Sequence, residues 1–142
     1  MNTDSINFRA FDTFKNEYSE IDFYLDQFGH LYYRSITDKL VSLTLGNRYI
    51  VELCTGLKDK NGKLIYEGDI VKGDIDFTPD GRVGLIRKVV FKLGSFFLMT
   101  WKGDFSLISD YHNLEIIGNI HDDQFRDPTK MIENKQHKGP EK

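Results

Sequence analysis

The chain has 142 residues, 29% of them charged, with a formal net charge of −3 and a mean hydropathy of −0.44. That length and polarity place it in the ordinary soluble class, with room for one domain or two small subdomains. No apolar run approaches the roughly 18 residues of a membrane helix, Cys54 is the single cysteine and rules out an intrachain disulfide, and MNTDSINFRAFD lacks the charged and apolar regions of a signal peptide.

Expected from this are a cytoplasmic protein without a membrane partner and a Cys54 buried as a small hydrophobe. Eleven Phe, seven Tyr and one Trp stand against three Pro. Aromatic residues favour strands and bury large apolar areas. More aromatic surface is present than one small core hides, which predicts self-association.

In chain order, Ile6, Phe8 and Ala10 alternate with Asn7, Arg9 and Phe11, the period of a short strand. Residues 13–20 are polar and without period, and read as a loop. Residues 21–35, IDFYLDQFGHLYYRS, read as a β-hairpin turning at Gly29, where a positive φ costs little. Residues 39–45 and 49–53 supply two further strands, broken at Gly46-Asn47.

Asn61-Gly62 is a strong signal for a type I′ turn between Lys58 and the apolar run Leu64-Ile65-Tyr66. Gly68-Asp69 then opens a strand at Ile70-Val71. Residues 84–108 carry a hairpin about Gly94-Ser95. Its second strand is apolar on both faces from Phe96 to Trp101, which predicts burial on two sides. Residues 114–120, LEIIGNI, read as a closing strand. Beyond His121 aliphatic residues thin out, which predicts a flexible tail with a helical turn near 128–134.

The fold class expected is all-β. An N-terminal β-meander (1–53) packs on a small SH3-like β-barrel (54–121), and a flexible tail (122–142) follows. Barrel closure removes exposed edges.

The motifs that could carry chemistry favour structural readings. Asp59-Lys60-Asn61-Gly62 suggests a calcium loop, yet an EF-hand with Gly62 at its sixth position would put Leu57 at its first, and Leu cannot ligate calcium. Asp59 is expected to bond its own turn. The pairs Glu67/Asp69 and Asp74/Asp76 are spaced to share a strand face, but solvated or capping roles account for them. His30, His112, His121 and His137 form no metal-binding pair. Gly81-Arg82-Val83-Gly84 is no phosphate loop. No catalytic, cofactor or metal residue is therefore assigned, and the chain reads as a non-enzyme.

Residues 72–102 carry six bases, Lys72, Arg82, Arg87, Lys88, Lys92 and Lys102, against three acids, Asp74, Asp76 and Asp80. Bases interleaved with Phe91, Phe96, Phe97 and Trp101 suit a strand-binding barrel face. Arg82, Arg87, Lys88, Lys92 and Lys102 are the residues of that alternative, nucleic-acid-binding reading. An aromatic core beneath a wet charged surface is the favoured one.

One stretch, CTGLKDKNGKLIYEGDIVK from Cys54 to Lys72, sets turn residues and an apolar strand at tight fixed spacing. Together with FRAFD (8–12) and LEIIGNIHD (114–122), in that order, it resembles the YopX family of phage and prophage proteins. Phe11 stands where the family commonly has Trp, and the last twenty residues lie outside its pattern. The resemblance implies a β-rich, oligomeric protein of a host bacterial cell, and no established activity or cofactor. Thr55, Gly56, Leu57, Asp59, Asn61, Gly62, Tyr66, Glu67, Gly68 and Asp69 carry the signature, mainly as structural residues. The expected function is that of a non-enzymatic accessory protein that self-assembles into a homo-oligomer or binds a host or phage protein.

Overall fold

The protein is described from a computed structural model covering residues 8–43, 47–75 and 81–126. Ile6, the Gly46 half of the Gly46-Asn47 break, Asp76, Asp80, His137 and the tail turn at 128–134 lie outside the described residues. The chain divides into two compact units, one of Phe8–Glu52 and one that begins its continuous run at Leu53. The fold is mostly β and contains three antiparallel sheets, one of them curled into a half-barrel.

In the first unit, β1 (Phe8–Asp12) pairs with β2 (Glu17–Tyr18), and β1 also neighbours the start of β6 (Tyr49–Lys58). The polar run 13–20, expected to be a loop, therefore contains a two-residue strand. It is too short to show a hydrophobic period. A separate meander joins β3 (Phe23–Leu25), β4 (Leu31–Arg34) and β5 (Leu40–Ser42). Its register sets Phe23, Tyr33 and Val41 on one face and Tyr24, Tyr32 and Ser42 on the other.

The second unit contains β7 (Leu64–Tyr66), which pairs with β6, and a five-stranded sheet. That sheet is built from β8 (Asp69–Ile75), β9 (Arg82–Lys92), β10 (Ser95–Met99), β11 (Phe105–Leu107) and β12 (His112–Asn119), in the order β11-β10-β9-β8-β12. A 3₁₀ turn at Ile108–Asp110 leads into β12, and the short helix α1 (Asp123–Arg126) follows it. Register shifts between Gly73 and Ile75 on β8, and between Ile116 and Gly118 on β12, insert bulges. Bulges bend and twist a strand, and these curl the sheet.

Cross-strand pairing sorts the side chains into two layers. Val71, Leu85, Val89, Phe96, Leu98 and Ile116 join Ile65, Ile75, Ile108, Tyr111 and Leu114 in the main core. On the opposite face Ile70 and Phe125 gather Ile86, Trp101, Ile117 and Ile120 into a smaller cluster. The strand buried on both faces is thus β8, where Ile70 and Val71 are both fully enclosed. Burial on two sides had been expected for Phe96–Trp101, but there only Leu98 is buried. The reason is position: β10 has a three-residue edge strand as its outer neighbour.

Four hairpin turns share one geometry, at Asp26–His30, Ser35–Lys39, Asp59–Lys63 and Thr100–Asp104. In each, the first residue's N–H donates to the fifth residue's carbonyl, and the fourth residue's N–H donates back to the first residue's carbonyl. The first side chain's oxygen accepts the fifth residue's N–H. The fourth residue, Gly29, Asp38, Gly62 or Gly103, has positive φ. Asn61 does not share that conformation. The type I′ turn expected at Asn61-Gly62 is therefore replaced by this longer, side-chain-capped form. The type I′ pattern of two successive positive φ angles occurs instead at Leu93 (52°) and Gly94 (76°), between Lys92 and Ser95.

Candidate functional site

Three groups of side chains stand out among the described residues. The first lies in the Phe8–Glu52 unit, where FRAFD supplies two of four interlocked charges. Arg9 Nε donates to Glu52 Oε1 at 2.8 Å, and Tyr18 Oη donates to the same oxygen at 2.9 Å. Arg9 also stacks over the Tyr18 ring. Arg48 makes two hydrogen bonds to Asp12, 2.9 Å from Nε and 2.7 Å from Nη2. Asp12 Oδ1 accepts the N–H groups of Phe14 and Lys15 as well. The Arg48 hydrogen bonds outweigh the opposing effect of burial, and with those N–H groups hold the Asp12 carboxyl at about 2. Both carboxylates are buried and paired, an arrangement that positions strands.

The second group is the signature segment. Thr55 Oγ1 donates to the Ile65 carbonyl and accepts from Leu57 N, beside Gly56 with φ of 81° in the bulge of β6. Asp59 is nearly enclosed. Its Oδ1 accepts the Asn61 and Lys63 N–H groups and its Oδ2 accepts Ile116 N at 3.1 Å, while Lys60 N donates to the Leu114 carbonyl. Burial alone would raise the Asp59 pKa, yet the N–H groups of Ile116, Lys63 and Asn61 and the Lys63 charge bring it below the ordinary value.

Glu67 Oε1 accepts Leu53 N, and Asp69 Oδ2 accepts Tyr66 N. Gly68 donates to Val89 and accepts from Ile120. Asp74 accepts Gly84 N and Asn113 Nδ2, which lower its pKa in that order. The signature thus fastens the β6–β7 hairpin to β12 and the start of β8 to β9 and β12. No group of three or more His, Cys, Asp or Glu with metal-binding geometry occurs among the described residues. Cys54 is half-buried rather than buried, and its Sγ lies 3.4 Å from Gly56 N.

The five bases of the nucleic-acid reading do not form one face. Register puts Lys88 and Lys92 with Val90, Phe97 and Met99 on the outer side of the sheet. Arg87 points to the other side, is 7% exposed, and donates from Nε to Tyr111 Oη at 3.0 Å. Arg82 opens β9, and Lys102 occupies the Thr100–Asp104 turn. The period-two alternation of Leu85, Arg87 and Val89 was the available signal that Arg87 faces inward.

The third group is apolar and exposed. At the β9–β10 turn Leu93 is 89% exposed, with Phe91 at 42% beside it. On the edge strand β11, Phe105 and Leu107 are 46% and 44% exposed. Phe105 meets the Phe97 ring edge-on at 5.0 Å, and Lys92 Nζ lies over it at 5.5 Å.

A family model described as YopX protein matches residues 7–125. The chain belongs to the YopX family. Two crystal structures share the fold. Protein EF1440 from Enterococcus faecalis is 27% identical with a TM-score of 0.51, over 82% of this chain and 93% of that one. Protein yopX from Bacillus subtilis is 23% identical with a TM-score of 0.52, over 85% and 94%. A comparison with curated proteins found no match. The YopX match embraces all three segments FRAFD, TGLKDKNGKLIYEGDIVK and LEIIGNIHD, and the hydrogen bonds above give each a structural task.

Proposed function

We propose that this YopX-family chain is a non-enzymatic phage accessory protein of the bacterial cytoplasm that works by self-association, with the β9–β10 hairpin tip and the β11 edge as its contact surface. We also read the half-barrel as a small SH3-like barrel. The observation that carries the reading is Leu93. A branched apolar residue holds a left-handed backbone conformation there, which disfavours non-glycine residues by about 1–2 kcal/mol, and its side chain is almost wholly in water. The type I′ hairpin requires the positive φ, but neither the choice of Leu there nor the exposure of its side chain helps the fold. Strain and exposure combined are features of contact sites.

Phe91 on one face of the sheet and Phe105 and Leu107 on the other are also exposed, and among the described residues β11 is an edge strand, a ready template for pairing with another strand. A second copy is the partner this surface suits, because β11 reads Phe105-Ser106-Leu107. Antiparallel pairing about Ser106 would set each Phe105 against the other copy's Leu107.

Sedimentation velocity over a hundredfold concentration range tests the proposal. The wild-type chain should sediment as a dimer or larger species at the upper end, and Phe105→Lys should shift dissociation to at least tenfold higher concentration. A wild-type monomer throughout would remove the reading.

A further inference from the structure

We propose that Arg87, Tyr111 and Ser106 form an oxyanion-binding site on the inner face of the half-barrel, one that takes a carboxylate or phosphate group. The argument begins with an imbalance of charge. Arg87 is more than nine-tenths buried and carries a permanent positive charge. Among the described residues no carboxylate pairs with it: its acceptors are the Tyr111 hydroxyl at 3.0 Å from Nε and the Ile86 carbonyl at 2.9 Å from Nη1. Both are neutral. Charges this buried are normally paired, because the loss of hydration is otherwise uncompensated.

Counting donors locates the vacancy. A guanidinium has five N–H donors, and among the described residues two have protein acceptors. One remains on Nη1 and two on Nη2, the planar edge that matches two oxygens of a carboxylate or phosphate. Tyr111 adds to them. Its hydroxyl oxygen already accepts from Arg87 Nε and from Ser106 Oγ at 3.2 Å, so its own proton is directed outward from that pair.

Position makes the cluster a designed feature and not an accident of a long side chain. Arg87 alternates with Leu85 and Val89, both part of the main core, and Tyr111 is itself a core residue. An apolar residue at 87 would continue that layer. Ser106 comes from the edge strand β11, and Tyr111 ends the 3₁₀ turn that follows it. Two neighbouring segments thus bring hydroxyls to the guanidinium of β9, Tyr111 directly and Ser106 through Tyr111. This inference does not depend on self-association: Ser106 lies on the β11 edge of the proposed contact, but its hydroxyl bonds Tyr111 on the sheet's inner face, and the Arg87–Tyr111 pair involves neither that edge nor the hairpin tip.

The test is thermal unfolding of the full chain against sodium phosphate and, separately, sodium acetate, with chloride holding ionic strength constant. At ten times the dissociation constant the wild-type midpoint should rise by about 3–5 °C. A response to phosphate alone identifies a phosphate group as the ligand, and a response to acetate alone a carboxylate.

Arg87→Met keeps the length and removes the charge. It should abolish the response and leave the anion-free midpoint equal to or above that of wild type. Tyr111→Phe should keep the response with about five- to tenfold weaker half-saturation. In parallel, the Arg87 Nε–H resonance of the wild-type chain should move saturably in NMR titrations. An Nε–H resonance that stays fixed up to 100-fold molar excess, or an equal thermal response in Arg87→Met, would overturn the proposal. The second result would reduce the effect to general salt stabilisation.

Discussion

Two hairpin turns in the same unit show opposite relations between sequence and structure. At Asp59–Lys63 every level agrees: Asp59 caps the turn with its carboxylate, Gly62 supplies the positive φ, and the turn docks on β12 through Ile116 N and the Leu114 carbonyl. At Leu93-Gly94 the local rules are broken. No side-chain cap is present among the described contacts, and a Leu holds a conformation suited to Asn, Asp or Gly. Consistency of that first kind is how a sequence specifies a fold. Its breach at an exposed tip is the local feature on which the proposed contact rests.

The largest effect should come from removing the agreement. Asp59→Ala leaves the Asn61, Lys63 and Ile116 N–H groups without their acceptor and should cost about 2–4 kcal/mol in urea unfolding. Asp59→Asn, which keeps one acceptor oxygen, should cost less. Equal stability of Asp59→Ala and wild type would mean that the turn is held by its backbone alone, and the contrast with Leu93-Gly94 would lose its basis.

A second effect probes the surface on which the capped turn docks. At Gly118 of β12 a Cβ would overlap the Phe125 ring and the Asp122 carboxylate, whose Oδ2 accepts Asn119 N. Gly118→Ala should destabilise by about 1–3 kcal/mol, as overpacking does. Hydrogen exchange should quicken from Ile116 to Ile120. A Gly118→Ala chain of wild-type stability would show that α1 yields freely.

How much of this was legible follows from where the determining interactions lie. The capped turns are local: Asp26, Ser35, Asp59 and Thr100 each stand three residues before a residue of positive φ, a spacing visible in the sequence. Asp59's role in its own turn was readable for that reason. Its bond to Ile116 was not, because β12 reaches β8 across the edge of the sheet and no local pattern encodes that return. The curling of the five-stranded sheet into a half-barrel was legible only as an expectation of a small barrel, because the pairing of β12 with β8 joins segments far apart in sequence. The ion pairs Arg9–Glu52 and Arg48–Asp12 likewise join residues far apart in sequence. The FRAFD segment announced a family without revealing that its two charges pair with Glu52 and Arg48.

A third prediction extends the capped class to Asp12, which caps the turn into β2. Its pKa is lowered from 3.8 to about 2, first by the Arg48 hydrogen bonds. In the folded chain it therefore binds its proton less readily than in the unfolded chain. Its contribution is complete above pH 3.8 and is lost as pH falls through that value towards 2. Asp12→Asn should lower stability near neutrality and flatten the acid limb of the stability curve over that interval. An acid limb of unchanged slope would assign acid sensitivity to other carboxylates.

The smallest effect carries the comparison's sharpest test, because it has the opposite sign. Leu93→Asn places a residue that tolerates the left-handed conformation at the first position of the type I′ turn and removes an exposed apolar side chain. If strain is the main local term, the monomer should gain about 0.5–1 kcal/mol. If Leu93 also serves contact between copies, the same change should weaken self-association several-fold in sedimentation velocity. Gain of monomer stability with loss of association is a trade that folding requirements alone do not produce. A stabilised Leu93→Asn that associates as wild type does would leave the β11 edge as the contact and Leu93 as unrelieved strain. Measured on one preparation, the two readouts separate a strained turn that serves only the fold from one that also serves the proposed contact between copies.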